Sequence, residues 1–88
     1  MTWECRLSKE AEKDFRHLPR DRQEQLGQAI DQMARDPLAG DVRRIKGGRF
    51  QGAMRKRVGR HRTVFSLDSN ARVVSIAAIL TRSEKAYR

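Results

Sequence analysis

One eight-residue run, V-V-S-I-A-A-I-L at Val73–Leu80, constrains the fold of this chain more than any other segment. The run is apolar on both faces, which predicts a central strand that is buried from both sides. A central strand needs a neighbour on each side, and further strand patterns occur at residues 2–7 and at about 50–58 and 61–67. Asp68-Ser69-Asn70 supplies the turn that leads into the last strand, over about 72–80.

Two helices are predicted between the first strand and the rest of the sheet. Ser8 is placed to cap the first helix, whose apolar residues follow at helical spacing until Pro19 ends it. The second helix fits Asp21 to about Arg35, because the residue before Pro37 is pushed out of the α region. The sequence therefore places both helices before most of the strands.

The resulting order of elements is β-α-α-β-β-β, with a loop over residues 37–49. This order predicts an α+β fold, in which two N-terminal helices pack on one face of a small, mainly antiparallel four-stranded sheet. We expect residues 1–88 to form a single domain, because a chain of this length allows only one small core.

The segment M-R-K-R-V-G-R-H-R at 54–62 predicts a β-hairpin with two chemically different faces. Gly59-Arg60 fits a two-residue turn, since glycine tolerates the positive φ that such turns need. Because side chains alternate along a strand, one face carries three arginines, Arg55, Arg57 and Arg62. The opposite face supplies the apolar side chains that the helices require, namely Met54, Val58, Phe65 and Leu67. Like charges on one uncovered patch repel each other, so we expect an anion to bind there.

The charge of the chain is concentrated in its second half. The sequence holds 20 Lys and Arg against 11 Asp and Glu, a formal net charge of +9. Residues 1–40 contribute 7 basic and 8 acidic side chains (net −1), whereas residues 41–88 contribute 13 and 3 (net +10). Such asymmetry favours nucleic acid as the partner, an acidic protein next, and a membrane surface least.

The sequence offers nothing that would hold a metal or an organic cofactor. Cys5 is the single cysteine, which excludes an internal disulfide and a cysteine-based metal site, and no cluster of carboxylates is present. Its N-terminus lacks an apolar leader segment, and no apolar run approaches the length of a membrane span. We therefore expect no cofactor and a cytoplasmic location.

Several motifs, taken in order, resemble the RelE/ParE toxin superfamily of bacterial toxin–antitoxin systems. They are A-E-K-D-F-R-H-L-P at 11–19, D-P-L-A-G at 36–40, R-R-I-K-G-G at 43–48, the hairpin at 54–65, and R-S-E-K-A-Y-R at 82–88. RelE-like members of this superfamily are ribosome-dependent endoribonucleases that cut mRNA. ParE-like members share the fold and poison DNA gyrase without cutting RNA. The resemblance also implies a cognate acidic antitoxin as partner.

The resemblance implies a metal-independent nuclease site on the basic hairpin face. The positions that match catalytic residues of RelE-like members are Arg62, Arg82 and Tyr87. The residues expected to bind RNA are Arg55, Arg57, Lys56, Lys46 and Arg49, with His61 as a further candidate. Arginine grips a phosphate with two parallel hydrogen bonds, and a tyrosine phenol acts as a base only where cations stabilise its phenolate.

Four positions depart from the RelE pattern. Arg55 and Arg57 stand where the best-studied branch has lysines, and arginine does not serve readily as a general acid or base. Lys56 occupies a normally apolar position opposite Thr63, which implies either a looser hairpin tip or an ammonium that extends outward past the hairpin. His61 stands in place of a tyrosine or tryptophan and alternates onto the helix-facing side, which favours a structural role over a catalytic one.

Three functions remain open from the sequence. The leading hypothesis is a toxin that cleaves mRNA at the ribosome and so blocks translation. The second is a ParE-type inhibitor of DNA gyrase without nuclease activity, and the third is an inactive member that only binds its antitoxin.

Overall fold

A computed structural model describes residues 2–81 of the chain. The elements in order are β1 (Glu4–Leu7), α1 (Lys9–Arg16), α2 (Arg20–Arg35), β2 (Val42–Arg44), β3 (Met54–Val58), β4 (His61–Asp68) and β5 (Val73–Thr81). The predicted α+β class and the order of helices and strands are confirmed, and one short strand, β2, is added within the segment expected to be a loop. Three residues are too few to show an alternating pattern, and β2 forms because it pairs with β3.

The sheet has five strands in the order β1-β5-β4-β3-β2, so the predicted central strand does lie inside the sheet. Its neighbour β1 pairs in parallel, with Leu7 opposite Ile76, and its other neighbour β4 pairs antiparallel. The β4–β5 register shifts at Val64/Phe65. The β3–β4 and β2–β3 pairs are antiparallel as well, so the sheet is mainly antiparallel, as predicted.

Both helices pack on the same face of this sheet and enclose the core. Phe65, Leu26 and Met33 are fully buried at its centre. Met54, Val58 and Leu67 pack against this cluster, which confirms the apolar face expected from the hairpin. Neither helix within residues 2–81 has the length and apolarity needed to cross a membrane.

Helix α1 covers the part of β5 that β1 leaves unpaired. Strand β1 ends opposite Ile76. Beyond this point Ser8 and Asp14 form hydrogen bonds with the backbone of β5 instead. The Ser8 hydroxyl accepts from the backbone N–H of Ala11 at 3.0 Å, as an N-cap, and donates to the carbonyl oxygen of Ala77 at 2.7 Å. The Asp14 carboxylate accepts from the N–H of Ile79 at 3.1 Å. These bonds fix α1 beside the end of β5 and close the exposed edge of the strand.

Candidate functional site

The basic hairpin has the predicted two-residue turn. Val58 pairs with His61 across Gly59-Arg60. Gly59 has φ +58°, whereas Arg72 is the non-glycine residue with positive φ among residues 2–81, so Arg60 has negative φ. That combination is typical of a type II′ turn. The turn lies close to α2, because a Cβ at Gly59 would be only 3.0 Å from the side-chain nitrogen of Gln25.

The three hairpin arginines lie on the face of the sheet that points away from the helices. Arg57 pairs with Arg62, and Arg55 pairs with Val64. Thr63 and Phe65, which alternate with Arg62 and Val64 along β4, are buried on the opposite face, where Phe65 belongs to the core under the helices. The alternation predicted from the sequence is therefore confirmed.

The same face is less open than the sequence indicated, because the connection between β2 and β3 folds across it. We call residues 45–53 the strap. Its two ends are joined by backbone hydrogen bonds, from Ile45 to Ala53 at 2.8 Å and from Gly52 to Ile45 at 3.1 Å. In the middle of the strap, the Arg49 guanidinium lies 4.9 Å from the centre of the Phe50 ring and forms a 2.6 Å ion pair with Glu10 of α1.

The strap and the sheet enclose a cleft of about 690 Å³, which we call the basic cleft. Among the described residues, six basic residues line it: Arg43, Arg44, Lys46, Arg49, Arg55 and Arg62. Its apolar lining consists of Ile45, Phe50, Val64 and Leu80. A pocket of this composition has cations for phosphate groups and an apolar surface for a planar base.

The basic cleft brings together four of the residues singled out from the sequence, Arg62, Arg55, Lys46 and Arg49. Arg57 is exposed beside Arg62 but does not line the cleft. Sequence reasoning assigned no role to Arg43 and Arg44. If the R-R pair had been assigned to an edge strand, Arg43 would have been predicted at the site, because β2 places it directly opposite Arg55.

Lys56 is a correction to the predicted RNA-binding set. It pairs with Val42 and Thr63 on the helix-facing side, opposite to the face that carries the arginines. Only 5% of the residue is exposed, and its ammonium is buried and has no hydrogen-bond partner among residues 2–81, instead of extending to solvent. Strand alternation is the physical reason, because Lys56 lies between two residues whose side chains point to the other face.

His61 is buried on the helix-facing side, which agrees with the structural role favoured by the sequence. Its Nε2 lies 3.4 Å from Nη1 of Arg22, and its Nδ1 lies 3.1 Å from the hydroxyl of Thr81. A guanidinium can only donate, so Nε2 accepts and the ring proton belongs on Nδ1, where it donates to Thr81. Burial lowers the pKa of His61, and the charges of Arg22 and Arg60 lower it further. The ring is neutral near pH 7 and joins α2 to the end of β5.

The free energy of unfolding should therefore fall as the pH drops below about 6.5, the ordinary pKa of histidine. The unfolded chain binds this proton more readily than the folded chain does, so the stability from neutral His61 is complete above that pH and is lost below it. Urea unfolding at pH 7.5 and 5.5 measures the effect, with His61→Gln expected to lose less stability between the two pH values than wild type. His17→Gln removes an exposed ring and should behave as wild type. Equal pH dependence in all three proteins would contradict this account of His61.

The predicted catalytic residues Arg82 and Tyr87 lie outside the described residues. The last described position, Thr81, pairs with His61 at the end of β5. Within residues 2–81, no group of three or more His, Cys, Asp or Glu side chains is arranged to hold a metal ion.

Solved structures of bacterial and archaeal toxins share this fold. The RelE–RelB complex of Pyrococcus horikoshii is 22% identical over 96% of this chain and 99% of its own, with a TM-score of 0.80. The RelBE2 toxin–antitoxin complex of Mycobacterium tuberculosis is 20% identical over 93% of this chain and 100% of its own, also with a TM-score of 0.80. The YoeB/ParE toxin of Agrobacterium tumefaciens is 16% identical over 91% and 99%, with a TM-score of 0.73. A comparison with curated protein sequences gives no significant match.

The arrangement of helices and strands in this chain is thus the fold of the RelE-like structures. The family model described as the ParE toxin of type II toxin–antitoxin systems, parDE, matches residues 5–86. The chain belongs to this family of toxins of type II toxin–antitoxin systems.

Proposed function

We propose that the chain is a ribosome-dependent endoribonuclease that cleaves mRNA and blocks translation. The observation that supports this most is the basic cleft, which is lined by six basic residues together with apolar ones. Non-specific attraction for an anion would need only exposed charge. A cleft with both kinds of surface fits an unstacked nucleotide, whose phosphate and base need different contacts.

RNA cleavage without a metal needs three contributions from the protein. The 2′-hydroxyl must lose a proton, the charge of the pentavalent phosphorane must be stabilised, and the 5′-oxygen must gain a proton. Arg62 is suited to the second task, because it lines the cleft together with Arg55 and with Leu80, its cross-strand partner on β5. We assign charge stabilisation to Arg62 together with Arg82. We assign removal of the 2′-hydroxyl proton to Tyr87, and the 5′-oxygen takes its proton from water. Arg55 orients the RNA backbone.

A cognate acidic antitoxin is the second partner in this proposal. The solved complexes of similar fold contain an antitoxin beside the toxin, and the charge of this chain favours an acidic partner. An acidic antitoxin segment on the basic cleft would block RNA by occupying the same cations. The proposed site of action is the bacterial cytoplasm, where the ribosomes are.

Inhibition of DNA gyrase without RNA cleavage is the second candidate function. It is favoured by the family model itself, which is described as the ParE toxin. The two candidates differ in what they require of the cleft, because a gyrase inhibitor has no need for a catalytic arginine and tyrosine.

Controlled expression in bacteria tests the proposal. Wild type should arrest growth and produce new 5′ ends within translated mRNA, detected by primer extension. Tyr87→Phe should lower cleavage by about 10²- to 10⁴-fold, the usual contribution of a general acid or base. Arg82→Ala should lower it by about 10²- to 10³-fold. Growth arrest with intact transcripts and with DNA breaks would contradict the nuclease proposal and favour gyrase.

A further inference from the structure

The ion pair between Arg49 and Glu10 joins the strap to helix α1, although the two start from different parts of the sheet. Nη2 of Arg49 lies 2.6 Å from Oε1 of Glu10. Arg49 belongs to the strap, which begins at the edge strand β2, whereas Glu10 is in the first turn of α1 beside β5. Strands β3 and β4 lie between β2 and β5, so this contact holds the strap across the basic cleft.

Around Arg49, the strap makes few other contacts with the described part of the chain. Within residues 2–81, the Arg49–Glu10 pair is the one hydrogen-bonded contact that joins the strap to a helix. Gly47 and Gly48 precede Arg49 with φ +77° and +75°, and a Cβ at either position would meet no atom of residues 2–81 within 4 Å. Within this part of the chain the two glycines are therefore not closely packed, which allows the strap to change position here if the ion pair breaks.

The pair itself is easily exchanged. The side chains of Arg49 and Glu10 are 71% and 43% exposed, and exposed ion pairs contribute little to stability. Arg49 also lines the basic cleft, so a bound phosphate group would lie within its reach. A phosphate accepts two parallel hydrogen bonds from one guanidinium and competes well with a carboxylate.

We propose that Glu10 is a latch that holds the strap closed through Arg49, and that a phosphate group entering the basic cleft takes Arg49 from Glu10 and releases the strap. Glu10 is then a positioning residue that lowers the affinity of the cleft for phosphate. That this phosphate group belongs to RNA rests on the proposed function. The latch itself requires only a phosphate-bearing ligand.

Hydrogen exchange of the strap amides and ligand affinity test the latch together. Glu10→Gln should speed exchange over residues 46–51 without any ligand. It should also tighten binding of a 12-nucleotide single-stranded RNA and of tripolyphosphate by about two- to fivefold, as expected from the loss of one exposed ion pair. Either ligand should speed strap exchange in wild type, because it takes Arg49 from the carboxylate.

Two controls separate the latch from a general effect of charge. Glu12→Gln removes the same charge from the other side of α1 and should change neither readout by as much. In an Arg49→Gln background, Glu10→Gln should have no further effect. Equal effects of Glu10→Gln and Glu12→Gln, or unchanged strap exchange in Glu10→Gln, would overturn the latch. A response to tripolyphosphate but not to RNA would support the latch and contradict the proposed nuclease, and a response to neither would overturn the latch.

Discussion

Replacement of Arg62 by alanine is expected to lower the rate of mRNA cleavage by about 10²- to 10³-fold. Arg62 lines the basic cleft and lies on β4 between its cross-strand neighbours Arg57 and Leu80. In the proposed mechanism its guanidinium stabilises charge that develops only in the transition state, so the loss should fall on kcat more than on RNA affinity. Cleavage of ribosome-bound mRNA under single-turnover conditions measures it.

Arg57→Ala is the matched control for this prediction. It removes an arginine from the same face, directly across from Arg62, but one that does not line the cleft. The expected loss is less than about tenfold, as for one non-specific contact with a polyanion. Arg62→Lys should recover only part of the activity, because lysine keeps the charge but cannot form two parallel hydrogen bonds. Equal losses for Arg57→Ala and Arg62→Ala would contradict a specific role for the cleft.

Replacement of Phe65 by alanine should lower the free energy of unfolding by about 3–5 kcal/mol. Phe65 is fully buried in the core between the helices and the sheet, in one cluster with Leu26, Met33 and Ile76. Small domains have total stabilities of about 5–15 kcal/mol, so this loss would remove a large share of the stability of the domain. Urea unfolding followed by circular dichroism measures it.

Phe50→Ala makes the same substitution in the strap, outside the core. Phe50 is half-buried and contacts Arg49, so its loss should lower the free energy of unfolding by less than about 1 kcal/mol. A comparable loss of stability in the two variants would mean that the strap belongs to the folding core, which would contradict its proposed movement.

The parts of the fold that sequence patterns predicted well are those where the pattern is long and regular. Val73 to Leu80 is apolar on both faces, and it forms the strand between β1 and β4. Alternation along the hairpin correctly placed Arg55 and Arg62 on the face away from the helices. Both predictions rest on local geometry, which a single sequence contains.

The parts that were missed depend on contacts between distant segments. Strand β2 has three residues and forms through its pairing with β3. The strap lies across the sheet, where Arg49 contacts Glu10, 39 positions away in the chain. Lys56 was grouped with the neighbouring arginines by charge, although alternation alone puts it on the other face. Charge clustering in sequence does not by itself give a cluster in space.

The most direct test of the central claim is a primer-extension measurement on purified ribosomes carrying a defined mRNA. The account predicts new 5′ ends with wild type and with Arg57→Ala, few with Arg62→Ala or Tyr87→Phe, and none with wild type when ribosomes are omitted. Intact mRNA with wild type under these conditions, together with DNA breaks when the same protein is added to gyrase, would contradict it.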